Sequence, residues 1–283
     1  MNYIKTGILL IVLTLILVWI GGFIGGPQGA WIAFIIALII NGISYWFSDK
    51  IVLTMYRAYE IPKAQYYHLY NLVEGLAATA KLPMPRLYMI ENSSPNAFAT
   101  GRDPEHACLC VTKGILQLLE EKELKGVLAH ELAHVRNRDT LIMTVTAAIA
   151  GAIMMLASMA RWVAILGGGS RQRRDSGNVF ALIAVSIIAP IAALIVQLAI
   201  SRSREYGADS MGAYMAHDKK GLASALNKLG LASRSPRKHG LNANPQTAHL
   251  FIVNPFRGSF ITNLFSTHPP IKERIERLNA LQL

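Results

Sequence analysis

The sequence predicts a mainly α-helical, polytopic membrane protein with a small β-sheet, and its composition and hydropathy pattern are the observations behind this fold class. The 283 residues are 52% hydrophobic and 16% charged, whereas soluble domains carry about 25% charged residues. Three stretches contain no Asp, Glu, Lys, Arg or His, at residues 6–48, 141–160 and 176–201. Each is near or above the length of about 20 residues that crosses a bilayer. The alternative is a set of buried helices in a large soluble core.

These stretches predict two transmembrane helical hairpins. The first joins spans at residues 8–24 and 31–47 through a glycine-rich turn, and the second joins two spans through a polar loop at residues 167–178. Pro190 inside the fourth span predicts a kink. The hairpins divide the chain into two membrane parts, residues 1–48 and 140–201, and two polar parts, residues 49–139 and 202–283.

The first polar part carries patterns for both helices and strands. An amphipathic helix is predicted at residues 64–80 and a strand at residues 107–112. Residues 96–101 predict a short edge strand, which can accept an extended chain through backbone hydrogen bonds. The alternative is an ordinary hairpin partner. Cys108 and Cys110 share one face of the later strand and are predicted core residues.

The segment His130-Glu131-Leu132-Ala133-His134 carries the H-E-x-x-H pattern of zinc peptidases. It lies in a helix predicted to begin near Glu121. Two histidines four residues apart project from one face, and each can give a nitrogen to a zinc ion, which lowers the pKa of its water to about 7. Glu131 can take the proton as hydroxide attacks a peptide carbonyl. The alternative is an amphipathic surface helix with two solvated histidines.

A zinc site of this type needs a third ligand, and Glu205 is the candidate. It follows the fourth span directly, so the second hairpin returns it to the membrane surface near His134. Asp209, one helical turn further on, can hydrogen-bond a ligand. The alternative is a juxtamembrane arginine cluster in which Glu205 is a solvated counter-charge. His268 either belongs to a helix cap or reaches the reaction centre, and spacing alone favours the cap.

The formal net charge of +11 does not predict nucleic-acid binding, because the sequence has no basic stripe interleaved with aromatic residues and no nucleic-acid motif. The cations lie beside the apolar segments and are expected to contact anionic lipid head groups. The N-terminus, the H-E-x-x-H motif and the C-terminal part share one side, and the cations near the membrane there predict that it is the cytoplasmic side. They are Lys5, Lys50, Arg57, Lys63, Arg136, Arg138, Arg202 and Arg204. The arginines of the opposite side conflict with this orientation: Arg161, Arg171, Arg173 and Arg174.

The order of these motifs resembles one known family. Two N-terminal spans are followed by Asn-Ala-Phe-Ala-Thr-Gly at residues 96–101, the H-E-x-x-H segment, a hairpin, Glu-Tyr-Gly-Ala-Asp at residues 205–209, and Thr-His-Pro-Pro at residues 267–270 with Arg274. This arrangement resembles the HtpX membrane metalloproteases, relatives of the CAAX prenyl endopeptidases, over essentially the whole chain. The resemblance implies a zincin-like (gluzincin) protease domain.

The resemblance also implies roles for individual residues. One zinc ion (Zn²⁺) is expected on His130, His134 and Glu205, with Glu131 as general base and acid. Residues 96–101 are expected to border the substrate cleft. The residues expected to support the site are Asn96, Asp209 and His268.

The biology implied by the resemblance is quality control in the inner membrane of a bacterial cell, with substrates that are misfolded or damaged membrane proteins and cytosolic proteins. Two other functions stay open from the residues alone. A non-catalytic membrane scaffold or transport component with a structural metal site is one, although the spans contain no acid or base except Arg161 and transport paths usually need such groups. A prenyl-protein processing enzyme is the other, although those relatives carry more spans.

Overall fold

The computed structural model describes residues 2–146, 202–233, 252 and 269–283. Most of the predicted second hairpin therefore lies outside the described residues, and so does His268. The helices are α1 (Asn2–Trp46), α2 (Ser48–Met55), α3 (Tyr67–Ala80), α4 (Lys113–Leu118), α5 (Glu121–Arg136), α6 (Arg202–Ala216), α7 (Lys219–Ala232) and α8 (Ile271–Ala280). The strands are β1 (Tyr59–Glu60), β2 (Arg86–Ile90), β3 (Ala97–Thr100) and β4 (Cys108–Thr112). Residues 139–146 are also helical.

Helix α1 is helical through the predicted turn, yet the chain folds back within it. The Asn41 side-chain amide donates to Thr14 Oγ1 at 2.8 Å across 27 residues, a span that would measure about 40 Å in a straight helix. Gly26 has a φ of +61°, a left-handed conformation that glycine adopts without strain. Pro27 follows it, and proline is well tolerated where a helix begins. The chain therefore reverses at the glycine-rich segment.

Within the described residues, one helix is long and apolar enough to cross a membrane. It is Gly26–Trp46, whose mean hydropathy is 1.7. Its large side chains face outward, and Trp31 and Trp46 are 68% and 59% exposed. Because this is the one candidate span in the described part of the chain, the prediction of two membrane-spanning hairpins is not confirmed.

The sheet is mixed, with strand order β1-β2-β4-β3. Strands β2 and β4 are parallel, and β3 pairs antiparallel with β4, so β3 forms an edge as predicted. Every residue of β4 is buried because both faces of the sheet are covered. Leu109 and Val111 face the core that contains α3 and α5, whereas Cys108 and Cys110 face α2 and residues 139–146. The cysteines are therefore core residues on one face.

Helix α5 is the centre of the helical layer and packs against α3, α6 and α7. Two glycines let neighbouring backbones come unusually close to it. A Cβ atom on Gly126 would lie 2.6 Å from the backbone nitrogen of Leu222 in α7. A Cβ atom on Gly212 of α6 would lie 2.8 Å from the backbone nitrogen of His130. Helix α6 is therefore held directly against the H-E-x-x-H segment.

The sequence predicts several of these elements and misses helix α2 and strand β1. The helix expected near Glu121 begins there, and Val127, Leu128 and Leu132 are buried as its stripe predicts. The helix expected at residues 64–80 begins at Tyr67. Strand β1 is not predicted, because two residues are too few to show an alternating pattern.

Replacing Gly212 with alanine is expected to destabilise the protein by about 1–3 kcal/mol, the usual range for overpacking. The new methyl group would meet the backbone of His130, so α6 would have to move away from α5. The measurement is the free energy of unfolding in denaturant of the detergent-solubilised protein.

Gly207→Ala is the matched control on the same helix, because nothing lies within 4 Å of its added Cβ atom. Alanine there is expected to stabilise the protein by up to about 1 kcal/mol through its helix propensity. Equal effects of the two substitutions would show that α6 does not pack on α5 through Gly212.

Candidate metal centre

His130 and His134 lie one turn apart on α5 and point into the same buried space. Both residues are buried, and their ring centroids are 4.7 Å apart. The two Nε2 atoms approach to 3.2 Å. The spacing of four residues on a helix therefore brings both imidazoles to one point.

Glu205 reaches the two histidines from α6. Its Oε1 lies 3.5 Å from His134 Nε2, and its Oε2 lies 3.8 Å from His130 Nε2. The three side chains offer ligand atoms that all lie within 4.8 Å of one another. Gly212 is about two turns further along α6, so its close contact with α5 sets the distance at which Glu205 meets the histidines.

Two further carboxylates contact the outer ring nitrogens of the histidines. Asp209 Oδ1 lies 3.0 Å from His130 Nδ1, and Asp139 Oδ2 lies 3.2 Å from His134 Nδ1. His130 Nδ1 lies close to Asp209 but makes no hydrogen bond with it. His134 Nδ1 forms a hydrogen bond with Asp139, and because a carboxylate accepts, this Nδ1 carries a proton and Nε2 of the neutral imidazole presents its lone pair. This is the tautomer in which a neutral histidine binds a metal through Nε2, and the carboxylate fixes the ring orientation.

The donor set fits a small divalent cation. Two Nε2 lone pairs and a carboxylate converge, and they repel one another unless positive charge lies between them. Donor atoms around a tetrahedral zinc ion are about 3.3 Å apart for bond lengths of about 2.0–2.1 Å, and the separations here run from 3.2 to 3.8 Å. The carboxylates around the site also favour the protonated form of His134. Burial acts to lower the pKa of His134, but the hydrogen bond with Asp139 and the nearby carboxylates raise it to about 9.

Glu131 lies beside this cluster and also contacts the sheet. It is 6% exposed, and its Oε2 accepts a hydrogen bond from the Ala99 N–H at 3.0 Å. Burial raises the pKa of Glu131, although His130 and His134 act to lower it. A carboxylate with a raised pKa is a stronger proton acceptor than an ordinary one, which favours a role as general base and acid.

The structure therefore brings most of the predicted site residues together, namely His130, Glu131, His134, Glu205 and Asp209. Asn96 is buried at the start of β3, and its side-chain oxygen accepts from the Ile252 N–H at 3.2 Å. The carbonyl of Ile252 in turn accepts from Arg274 Nη1 at 3.4 Å. Asn96 thus reaches the cluster through Ile252 and Arg274. His268 lies outside the described residues.

The sequence analysis does not single out Asp139, and it names Arg274 in the family pattern without giving it a role in the site. Asp139 is the last acid before an apolar stretch and lies five residues after His134; its isolation there was the available signal. Arg274 is fully buried and makes a two-pronged ion pair with Asp209, with nitrogen–oxygen distances of 2.8 and 2.6 Å. It lies on the same face of α8 as Leu278, and an arginine inside an apolar stripe was the signal for it.

Comparison with known proteins agrees with this site. The family model for peptidase family M48 matches residues 63–282. A protease HtpX homolog from Syntrophobacter fumaroxidans is 53% identical over 280 residues, which cover 98% of each chain. A protease HtpX homolog from Thermococcus kodakarensis is 51% identical, and the match covers 99% of this chain and 96% of the relative.

The fold is similar to the crystal structure of S. mikatae Ste24p, with a TM-score of 0.52 and 16% sequence identity. The match covers 98% of this chain and 65% of that chain, so this chain spans just under two thirds of its length.

These similarities confirm the predicted resemblance to the HtpX proteases. They also confirm the predicted function as a membrane-associated metalloprotease, and none of them favours a non-catalytic scaffold or transport component. The matched region includes α5, α6 and α8, the helices that carry the cluster. The chain therefore belongs to peptidase family M48.

Proposed function

We propose that this protease is a membrane-bound zinc endopeptidase in which His130, His134 and Glu205 hold the ion. The observation that carries the proposal is the convergence of these three side chains within 4.8 Å, with the buried carboxyl of Glu131 beside them. Two histidines and one carboxylate form a common ligand set of catalytic zinc. When bound, zinc supplies a Lewis acid that polarises the scissile carbonyl and makes water acidic near neutral pH.

Glu131 is the group proposed to move the proton. Its carboxylate accepts a proton from the attacking water and gives it to the leaving peptide nitrogen, and its raised pKa suits both transfers. The Ala99 N–H holds one carboxylate oxygen at 3.0 Å. Helix α5 and strand β3 together therefore orient the second oxygen of Glu131.

Strand β3 is proposed to orient the substrate. The Ala99 N–H points to Glu131 and not to β4, so the outer edge of the sheet faces the metal centre. An extended peptide can add to such an edge through backbone hydrogen bonds, which would lay its scissile bond next to Glu131. Binding of this kind depends on the peptide backbone of the substrate and not on its side chains, so it would accept unfolded or damaged proteins of varied sequence.

The chain is proposed to act in a bacterial inner membrane, with its active site facing the cytoplasm. The fold-back within α1 supports an N-terminal hairpin at residues 1–48. The packing of α6 on α5 supports a second hairpin at residues 140–201, because the chain must leave the cluster after Asp139 and return to it by Glu205. The protease parts are then residues 49–139 and 202–283, and the expected substrates are misfolded or damaged membrane proteins and cytosolic proteins.

Replacing Glu131 with glutamine is expected to reduce peptide hydrolysis by about 10²–10⁴-fold, the usual contribution of general acid–base catalysis. Glutamine keeps the side-chain volume and can still accept from the Ala99 N–H, but it cannot take a proton. The measurement is the cleavage rate of a chemically unfolded, labelled protein by the full chain in detergent, together with zinc content.

Glu121→Gln is the matched control, because Glu121 lies in the first turn of the same helix and its side chain is 64% exposed. It should cleave at the wild-type rate. Removal of zinc by a chelator should abolish cleavage, and added Zn²⁺ should restore it. The mechanism is wrong if the Glu131→Gln protein binds zinc and cleaves as fast as the Glu121→Gln protein.

The proposed topology is tested with two reporter fusions in a bacterial host. A reporter fused after Leu283 is expected on the cytoplasmic side, and one inserted after Ser170 is expected on the opposite side, because an odd number of spans precedes it. The measurement is the activity of an alkaline phosphatase reporter, which requires export. Two inactive reporters would mean that residues 140–201 do not cross the membrane.

A further inference from the structure

The cluster gathers an unusual amount of buried negative charge. Its four carboxyl groups, which belong to residues no more than 6% exposed, are those of Glu131, Asp139, Glu205 and Asp209. Buried carboxylates are expensive unless they are paired with positive charge. Two arginines lie against them in the described residues, Arg274 and Arg204.

Each histidine stands at the inner end of a similar chain of contacts. His130 meets Asp209 through Nδ1 at 3.0 Å, and Asp209 meets Arg274 at 2.6 Å. On the other side, His134 meets Asp139 at 3.2 Å, with the Nε of Arg204 3.9 Å from the same aspartate. The first chain is the tighter one, because its arginine is fully buried and grips both oxygens of its aspartate.

Arg274 also contacts the proposed ligands themselves. Its Nη1 lies 3.6 Å from Glu205 Oε2, and its Nη2 lies 3.5 Å from His130 Nε2. A guanidinium is planar and presents several donors in fixed directions. Arg274 on α8 can therefore orient two carboxylates of α6, those of Glu205 and Asp209.

We propose that Arg274 is a positioning residue of the metal centre, which holds Asp209 and Glu205 in the orientation that binds the ion. It acts through the contact of Asp209 with Nδ1 on the position of the His130 ring, and directly on the carboxylate of Glu205. This assignment rests on the proposed metal site, but it concerns cation affinity and not hydrolysis.

If Arg274 acted only through its charge, removing it would have the opposite effect on zinc affinity from that expected of a positioning residue. A permanent positive charge about 3.5 Å from a ligand atom repels a divalent cation, so removing Arg274 should tighten binding if charge alone mattered. If Arg274 positions the ligands, removing it should weaken binding, because residues that orient ligands typically contribute about 10–100-fold to metal affinity. The sign of the change therefore separates the two roles.

The experiment measures the dissociation constant for Zn²⁺ alone, by competition with a chelator, on metal-stripped full-length protein in detergent. Arg274→Met is expected to weaken binding by about 10–100-fold. Arg274→Lys keeps the charge but loses the planar fork, so it should fall between Arg274→Met and the wild type. Arg277→Met is the control on the same helix: Arg277 is 58% exposed and pairs with Glu273, so its affinity should match that of the wild type.

A double variant tests whether Arg274 acts through Asp209. Arg274→Met combined with Asp209→Asn removes both charges of the pair, and its loss of affinity should be clearly smaller than the product of the two single losses. It also leaves no unpaired charge at this position, so it provides a folded comparison if Arg274→Met alone does not fold. Circular dichroism of the metal-free proteins reports folding.

Zinc affinity of a folded Arg274→Met protein equal to or tighter than that of the wild type would overturn the proposal. So would full affinity in Arg274→Lys, or a double variant whose loss equals the product of the single losses. A wild-type chain that binds no zinc would overturn both this proposal and the proposed function. The expected pattern in a chain that cleaves no protein would retain the role of Arg274 and reject the peptidase proposal alone.

Discussion

The proposed metal centre depends on the contact between α5 and α6 at Gly212. The H-E-x-x-H segment supplies both histidines from one helix, but the third proposed ligand comes from a helix that begins 66 residues after the end of α5 at Arg136. Gly212 lets the two backbones come within the reach of a short side chain, so that Glu205 meets both imidazoles. Any larger residue there would push the carboxylate away from the nitrogens.

The packing of α6 on α5 brings buried carboxylates and arginines together around the two histidines. Carboxylates approach the histidines from both sides of the cluster, and arginines approach the carboxylates from outside. The hydrogen bond with Asp139 fixes the tautomer of His134, and the carboxylate of Glu205 lies within 4 Å of both Nε2 atoms. Glu131 lies at the border of the cluster, and the Ala99 N–H donates to it, so a hydrogen bond joins the proposed proton-transfer group to the strand proposed to orient substrate.

The sequence predicted the histidines, Glu131, Glu205 and Asp209 as site residues, and it gave no role to Asp139 and Arg274 for a physical reason. His130, Glu131 and His134 have fixed helical spacing, and Glu205 follows a hairpin that must return the chain, so local rules suffice for them. Asp139 and Arg274 act through contacts between elements far apart in the chain, which periodicity does not describe. Strand β4, helix α5 and the edge position of β3 were likewise predictable, whereas strand β1 and the helical continuity of α1 through Pro27 were not.

X-ray absorption at the zinc edge of the purified full-length protein tests the central claim most directly. The predicted spectrum shows about one zinc per chain bound by two imidazole nitrogens and by oxygen, with one imidazole signal lost when His134 is replaced by alanine. A spectrum without imidazole ligands, or one that His134→Ala and Glu205→Ala leave unchanged, would contradict the site described for this chain.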